Sequence, residues 1–371
     1  MQQLSGRERL KRVFKRLEVD RMPARIWGTD PLFPKKGWQP LYELTEKHEL
    51  EIIREWGVPA QNLPPLYVCR EEKTVREGMI EYKTVIETLK GNLTRIYSRP
   101  ADGSPGYCRK HFVESEKEAV IWLAIDFPKA MPSVDAYFEL EKRTGARALL
   151  MVDLASPFLE VHGLIGSELF AYWVYDAPAL LHAMIEKCFK KTEDLVKYYL
   201  SLNIGDAYGW GGPELCIPPL ASVEAFREFE LSYDKKLIDL IHNHGKLVWI
   251  HSHGDMSVVL NDFIGAGVDC LNPMEPPPAN KITLAEALNI CRGKMALDGG
   301  VNDNDFDLLS SAEMKCVVER TVSQIGAQDA FILCPTSTPN TSGDKPPTSR
   351  RIENYKQFVE TAIKMRKYLK A

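Results

Sequence analysis

The chain has 371 residues, of which 44% are hydrophobic and 26% charged, and its formal net charge is −4 at pH 7. This composition indicates a soluble globular protein and argues against a nucleic-acid binder or a disordered chain, and no uncharged apolar run approaches the roughly 18 residues that a membrane span needs. The eight cysteines are scattered without a CxxC pair, which is typical of a reducing compartment and predicts a cytoplasmic protein.

A surface helix is the first element that the sequence predicts. Ser5 and Glu8 have the spacing of a capping box, and apolar residues recur every three to four positions from Leu10 to Leu17. The segment is basic, but it carries acidic residues and lacks the apolar core of a secretion or import signal. We expect this helix to cover the bottom or the side of the fold.

The first third of the chain also predicts a strand and a hairpin. The run MPARIWG, 22–28, is the first strand candidate. Further on, MIEYKTVIETL and LTRIYSRP alternate polar and apolar residues on either side of Gly91 and Asn92. A Gly-Asn pair between two alternating runs favours a β-hairpin. We therefore expect a β-hairpin insertion over 79–99.

Repeated strand and helix patterns follow from about residue 147. Short runs rich in β-branched and aromatic residues are the strand candidates: 147–155, 206–212, 247–253, 268–275, 294–300 and 330–336. Amphipathic helical patterns lie between and after them: 178–202, 222–244, 256–266, 284–291, 311–325 and 352–369. This alternation predicts a parallel sheet with helices packed against it.

A single α/β domain over residues 1–371, folded as an eight-stranded (β/α)8 TIM barrel, is the architecture that this alternation favours. An open doubly wound sheet would show the same alternation, but no strand candidate is followed by a GxGxxG or GxxxxGK loop. The N-terminal helix and the hairpin insertion would be additions to the barrel. The polar stretch after the last strand candidate, 334–351, is long enough to act as a flap.

Polar and aromatic residues collect at the predicted C-terminal ends of the strands, where (β/α) barrels place their reacting groups. They are Asp153, Tyr208, Trp210, Glu214, His251, His253, Asn272, Glu275, Asp298 and Cys334. On an extended segment, residues i and i+2 face the same side. His251 and His253 can therefore point at one rim, with Leu247 and Trp249 filling the interior below them.

The sequence His-Ser-His at 251–253 has two interpretations. The histidines are either a hydrogen-bonded pair under a loop or a pair of metal ligands or acid–base groups, and their place at a strand end favours the second. Amidohydrolase barrels also carry HxH, but on their first strand and with further histidines downstream. No histidine follows His253, so that metal constellation is excluded.

Each of the other candidates also has a structural and a functional interpretation. Cys334 is either a small buried side chain or a third metal ligand. Glu214 and Glu275 lie in Gly/Pro-rich loops, and each is either a helix cap or an acid–base group. Asp298 precedes two glycines, and it is either a turn former or a catalytic carboxylate. The residues expected to contact substrate are Asp153, Tyr208, Trp210 and Asn272.

Several stretches of the sequence resemble the uroporphyrinogen decarboxylase superfamily. The opening RERLKRVFKRLEVDRMP is similar to the start of its members, and the long run 222–273, MALDGGVN and FILCPTSTPN match in the same order. The resemblance covers nearly the whole chain and implies a single (β/α)8 barrel. Members divide into tetrapyrrole decarboxylases and zinc-dependent methyltransferases that exchange methyl groups between a corrinoid protein and a thiol or a related acceptor.

The chain departs from the pattern of each branch. Decarboxylases carry an arginine-rich RQAGR run, and the equivalent stretch in this chain keeps only Arg25, with Lys35 and Lys36 further on. Methyltransferases carry His-x-Cys and a distant second cysteine. In this chain His251 matches the histidine, His253 stands where the first cysteine belongs, and the second cysteine falls nearest Ser337, three residues after Cys334. The methyltransferase branch is the closer match.

The resemblance implies a cytoplasmic corrinoid-linked methyltransferase. In this hypothesis zinc is held by His251, His253 and Cys334, with Glu275 or Glu214 as a fourth ligand or an acid–base group. Fewer thiolates would make the metal a stronger Lewis acid, which suits an oxygen-bearing, methoxylated substrate. The corrinoid would come with a separate protein, because the chain contains no DxHxxG sequence.

Two rival hypotheses remain open at this point. The first is a metal-free decarboxylase or lyase in which one histidine is a general acid and Asp153 or Asp298 stabilises a developing cation. The second is a tetrapyrrole or corrinoid carrier without catalytic activity.

Overall fold

The computed structural model describes residues 3–57, 68–327, 329–339 and 346–366. Residues 340–345 of the predicted flap lie outside these ranges. No helix within the ranges is long and apolar enough to cross a membrane.

The described residues form strands and helices that alternate through most of the chain. The strands are β1 Ile52–Trp56, β2 Val68–Arg76, β3 Met79–Thr88, β4 Gly91–Pro100, β5 Tyr107–Lys110, β6 Ala148–Asp153, β7 Ala207–Gly211, β8 Leu247–His251, β9 Cys270–Met274, β10 Ala296–Val301 and β11 Phe331–Pro335. The helices are α1 Gly6–Phe14, α2 Gln39–Lys47, α3 Glu116–Leu123, α4 Asp135–Thr144, α5 Pro157–Asp176, α6 Pro178–Ser201, α7 Val223–Phe226, α8 Ser232–His242, α9 Leu260–Ala266, α10 Leu284–Cys291, α11 Asp305–Leu308, α12 Ser311–Val322 and α13 Ser349–Met365. Short turns of 3-10 helix occur at Pro213–Leu215 and Met256–Val258, and a π-helical turn spans Arg227–Leu231.

A curled parallel sheet of seven strands organises the α/β fold. Its order is β1-β6-β7-β8-β9-β10-β11, so neighbours along the chain from β6 onward are neighbours in the sheet. This is the arrangement expected from strands joined by helical crossovers. All the strand candidates from 147 onward are strands of this sheet.

The segment 23–25 lies against both edges of the sheet. On the β11 side, the amide of Leu333 donates to the carbonyl of Pro23 at 3.0 Å, and the amide of Arg25 donates back to Leu333 at 2.9 Å. On the β1 side, the amide of Glu51 donates to the carbonyl of Ala24 at 3.0 Å. The strand predicted over 22–28 is therefore wrong in length: it is one bridge at Ala24, because the chain turns at Trp27 and Gly28, where Gly28 has φ +73°.

The N-terminal helix covers the inner face of the sheet at the end where the strands begin. Ser5 caps α1 by accepting the amide of Glu8 at 3.2 Å, as its position in the sequence predicts. The apolar side of α1 packs with inward residues of the strands in one buried cluster: Leu10, Val13, Phe14, Ile53, Leu149, Met151, Ala207, Leu247, Trp249, Cys270, Ala296 and Ile332. The inner face is thus a packed core at the end where the strands begin, so a site on this face can be open to solvent only at the end where the strands finish.

The helices pack on the outer face of the sheet. The predicted helix 178–202 is α6, and 284–291 is α10, whereas the predicted helix 222–244 is divided into α7, the π-helical turn Arg227–Leu231 and α8. Helix α5 was not predicted. Its hydrophobic residues occur all round the helix because it is broken at Gly166, which has φ +76°, so no single apolar stripe shows in the sequence.

A separate antiparallel sheet precedes these units, with the order β2-β3-β4-β5. The predicted hairpin is confirmed as β3 and β4 within this larger sheet, but its turn is at Leu89 and Lys90, two residues before the predicted one. Thr88 determines the turn, because its hydroxyl donates to the carbonyl of Gly91 at 2.7 Å and accepts the amide of Lys90 at 3.1 Å.

Candidate active site

Two adjacent histidines lie where β8 ends on the inner face of the sheet. Leu247 and Trp249 belong to the interior cluster, so the alternation of the strand also directs His251 inward. The rings of His251 and His253 have centroids 4.7 Å apart and planes at 89°. The structure thus brings together the two histidines of the His-Ser-His sequence.

Trp249 forms the floor under this pair. Its ring stacks on that of His251, with centroids 5.9 Å apart and planes at 16°. Gly209 on the neighbouring strand makes room for it, because a Cβ there would lie 2.7 Å from the Sδ of Met151 and 3.0 Å from the Trp249 ring. The floor is therefore apolar and closely packed, which separates the histidines from the interior below.

His251 is held in one tautomer. Its Nδ1 lies 2.9 Å from the Oδ1 of Asn272, and the Nδ2 of Asn272 donates to the carbonyl of Asp298 at 3.4 Å. Because that second bond fixes the amide, the Oδ1 must accept and the Nδ1 of His251 must carry the proton. Burial lowers the pKa of His251 despite the Asn272 bond. At neutral pH its Nε2 therefore presents a lone pair.

His253 is in the opposite electrostatic situation. Its Nδ1 lies 3.2 Å from the Oε1 of Glu275, and the other oxygen of that carboxylate accepts the amide of Gly254 at 2.9 Å. The hydrogen bond to Glu275 raises the pKa of His253. Burial alone would raise the pKa of Glu275, but the bond from His253 lowers it. The pair therefore favours a protonated ring beside an ionised carboxylate.

Replacing Glu275 by glutamine is expected to lower the pKa of His253, because the ring loses its charged partner. The pH titration of the ring by NMR measures this, with Glu228→Gln, an exposed glutamate on the π-helical turn, as the control. The sign of the accompanying stability change follows from the direction of the shift. The pairing of His253 is fully stabilising below the ordinary histidine pKa of about 6.5 and is lost as the pH rises through the raised value. An unchanged titration curve in Glu275→Gln would contradict the pairing.

Carboxylates surround the histidine pair. Trp27 meets the ring of His251 edge-on at 4.9 Å, and its Nε1 donates to the Oε1 of Glu55 at 3.3 Å. Asp153, at the end of β6, is exposed to solvent but lies in a recess of the rim. Its pKa is raised to about 6, mainly by desolvation and to a smaller extent by the charge of Glu55. Glu214 accepts the amide of Gly212 at 3.2 Å. Its charge partly opposes the lowering of the His251 pKa by burial and adds to the raising of the His253 pKa by Glu275. The rim is therefore acidic.

An ion pair occupies the layer below the rim. The Nη2 of Arg25 donates to the Oδ2 of Asp298 at 2.6 Å, and the two residues are 2% and 0% exposed. Trp249 also donates to Asp298, at 3.4 Å. The Cys334 thiol is fully buried beside this pair, and its burial raises its pKa well above the usual range. Asp298 thus neutralises Arg25 instead of facing the rim, and Cys334 lies with the ion pair and not with the histidines.

The residues expected to bind zinc do not form the expected set. His251 and His253 each offer an Nε2, but Cys334 stays in the layer of Arg25 as a protonated thiol. Within the described ranges, no three histidine, cysteine, aspartate or glutamate side chains converge closely enough to hold a metal ion. A catalytic zinc site needs three protein ligands with an open fourth position. The side chains present therefore do not fit the zinc that the resemblance implies.

Elemental analysis is expected to find less than one zinc per purified chain, because two histidines alone are a weak site. The His251→Ala/His253→Ala double variant should have the same metal content as the wild type. Near one zinc per chain, lost in the double variant, would instead restore the ligand set that the sequence implies.

Two of the residues expected to contact substrate are on the other side of the sheet. Tyr208 and Trp210 are 0% and 1% exposed, and they alternate with the inward Ala207 and Gly209. The Tyr208 hydroxyl donates to the carbonyl of Ile204 at 2.9 Å, and Trp210 bonds Asp234 on the helix side. Both side chains therefore pack in the helix layer and do not reach the rim.

Two rim residues, Trp27 and Glu55, were not among the candidates. Trp27 lies in the run 22–28, which the sequence predicts as a strand. Arg25 and Trp27 alternate with Ala24 and Ile26 in this run, so the two sets of side chains face opposite sides, and this alternation indicates that Trp27 faces the same side as Arg25. Glu55 lies on β1, a strand that was not identified. Its run IIREW is short and has a charged residue at an inward position, which a core strand would not carry unless it served a site.

Comparison with known proteins agrees with this fold. The family model for uroporphyrinogen decarboxylase (URO-D) matches residues 107–364. A solved structure of a methyltransferase from Methanosarcina mazei resembles the chain with a TM-score of 0.61 and 15% identity, over 98% of this chain and 99% of that one. At that identity the likeness shows the fold alone. No curated protein matches the sequence.

Proposed function

Since the chain belongs to the uroporphyrinogen decarboxylase family, we propose that it is an enzyme that moves a methyl group between a small substrate and a carrier, with the two histidines as its acid–base pair. The solved structure of similar fold is a methyltransferase, which supports this branch of the family. We also infer that residues 1–371 form one domain. The segment 23–25 would take the place of the eighth strand and close the sheet into a barrel, since it bonds the β1 edge and the β11 edge.

The histidine pair is the main evidence for this proposal. Two rings 4.7 Å apart each have one nitrogen fixed by a side chain. In the part of the chain that the structure describes, neither Nε2 makes a hydrogen bond. Burial keeps His251 a neutral base, whose tautomer is set by Asn272, and Glu275 keeps His253 an acid. Neighbouring groups with opposed pKa shifts are the arrangement of an acid and a base that work at one pH.

Methyl transfer uses both members of such a pair. An acceptor hydroxyl or thiol must lose its proton to become a nucleophile, and the Nε2 of His251 is placed to take it. In the other half-reaction, in which a methoxylated substrate gives its methyl group to the carrier, the oxygen that leaves must gain a proton, and the protonated Nε2 of His253 supplies it. The packed floor of Trp249 excludes water from below, so the proton moves between defined atoms.

The carrier in this proposal is a corrinoid held by a separate protein, which supplies a nucleophile for the methyl group when it docks. The substrate is a small methylated molecule, with a methoxylated compound as the first class to test, because an acid such as His253 assists an oxygen leaving group. The enzyme would act in the cytoplasm.

The acidic rim is an argument against the decarboxylase alternative. A tetrapyrrole substrate with many carboxylates needs cationic partners. Arg25 is neutralised by Asp298, while Glu55, Asp153 and Glu214 would repel such a substrate.

Free methylcobalamin is the probe for the test, because it carries a transferable methyl group whose loss is visible in its absorbance. The protein is incubated with it and a panel of thiols and phenols, and acceptor-dependent demethylation is the expected result. Release of carbon dioxide from a carboxylated tetrapyrrole, with no demethylation for any acceptor, would overturn the proposal in favour of a lyase.

A further inference from the structure

Two carboxylic acid side chains lie behind the sheet, in the helix layer. Glu230 is 0% exposed and Asp234 is 2% exposed. They are four residues apart, Glu230 in the π-helical turn Arg227–Leu231 and Asp234 in α8. Carboxylates are rarely buried without a partner, because removal from water penalises the charged form. No lysine, arginine or histidine among the described residues pairs with either one.

Each of these two carboxyl groups has one oxygen with a donor and one without. Ser156 donates to the Oε1 of Glu230 at 3.4 Å, and the Nε1 of Trp210 donates to the Oδ2 of Asp234 at 2.9 Å. The Oε2 of Glu230 and the Oδ1 of Asp234 are buried and have no hydrogen-bond partner within the described ranges. Two ionised groups at these positions would leave two buried charges and two oxygens without donors, which is strongly unfavourable.

We propose that Glu230 and Asp234 share one proton at neutral pH. The proton makes one of the two groups neutral and gives it a hydroxyl that can donate. It also halves the buried charge. Like charges that share a site cannot both ionise, and a π-helical turn of this kind often marks a functional site.

The titration behaviour of the pair agrees with a retained proton. Burial, and then the charge of Asp234, raises the pKa of Glu230 well above its usual range. Burial also raises the pKa of Asp234. Two further titratable groups act on the pair. The charge of Glu214 raises the pKa of Glu230 further, after burial and Asp234. The pKa of the Cys216 thiol is raised by burial and then by these carboxyls, so the thiol contributes no charge at neutral pH.

Infrared spectroscopy of the whole chain tests the shared proton directly, through the carbonyl stretch of a protonated carboxylic acid. The wild type should keep this band at pH 7, where an ordinary glutamate with a pKa of about 4.3 has lost it. The isosteric variants Glu230→Gln and Asp234→Asn should each lose the band, and Glu228→Gln, exposed on the same π-helical turn, should keep it. A wild type without the band at pH 7, or a band unchanged in both variants, would overturn the proposal.

A second measurement remains informative if one variant fails to fold. Raised carboxyl pKa values mean that the folded state holds a proton that the unfolded state gives up, so stability should fall as the pH rises from the unfolded value through the folded one. The melting temperature of the wild type should drop more between pH 6 and pH 9 than that of whichever variant folds. Equal drops in the wild type, the variant and Glu228→Gln would count against the pair, whatever the outcome of the methyl-transfer assay.

Discussion

Replacing His251 by glutamine is expected to lower the rate of methyl transfer by about a hundred- to ten-thousand-fold, the usual contribution of a general base. Glutamine keeps a polar group of similar reach above Trp249, but it has no basic nitrogen to take a proton from the acceptor. The loss should appear in kcat with little change in KM, because the proton moves only in the transition state. The methylcobalamin assay measures both quantities.

The control for this change is His244→Gln. His244 is an exposed histidine shortly before β8, and its ring bonds the carbonyl of Leu240 at 3.0 Å. It should leave kcat within about twofold, because surface changes of this kind are usually nearly neutral. The intermediate case is Asn272→Leu. That variant keeps the imidazole but frees its tautomer, so it should reduce kcat by less than His251→Gln. Equal activity of His251→Gln and His244→Gln would remove His251 from the mechanism.

The Asp298→Asn variant is expected to lose about 3–5 kcal/mol of unfolding free energy, the usual cost of removing one partner of a buried ion pair. Asparagine keeps the shape of Asp298, so the packing around Trp249 is unchanged. The guanidinium of Arg25, 2% exposed, is left without its counter-charge. Urea denaturation followed by tryptophan fluorescence measures the difference.

Two comparisons separate charge from packing in this experiment. Asp239→Asn breaks the exposed pair of Lys235 and Asp239 and should cost no more than about 1 kcal/mol. The double variant Arg25→Met/Asp298→Leu removes both buried charges and should recover much of the loss. If Asp298→Asn costs no more than Asp239→Asn, the ion pair does not stabilise the fold as its burial indicates.

The sequence predicted the parallel strands and most helices because their signal is local. Alternation and helical periodicity depend on residues a few positions apart, and they also predicted that His251 and His253 could share a rim. The partners of these histidines were only partly foreseen. Asn272 and Glu275 were identified as strand-end residues, but their pairing with the two rings depends on the register between β8 and β9, which no local pattern specifies.

The depth of burial inside the sheet was the main error. Cys334 and Asp298 do point inward, as their parity predicts, but they are fully buried beside Arg25 and do not face the rim. Burial depends on which side chains the neighbouring strands bring alongside, and β10 also has an irregularity between Leu297 and Gly299 that displaces its register. Tyr208 and Trp210 are a different case, because parity alone assigns them to the helix side once Ala207 and Gly209 are identified as inward.

The segment 23–25 also sets constraints on synthesis of the chain. Its partners are Glu51 and Leu333, so the second edge of the sheet cannot be covered until residue 333 has left the ribosome. Until then segment 23–25 and the most recently made strand both have exposed backbone groups, which are templates for intermolecular pairing. Premature termination before residue 333 should therefore give products that aggregate, even when every earlier strand and helix is intact.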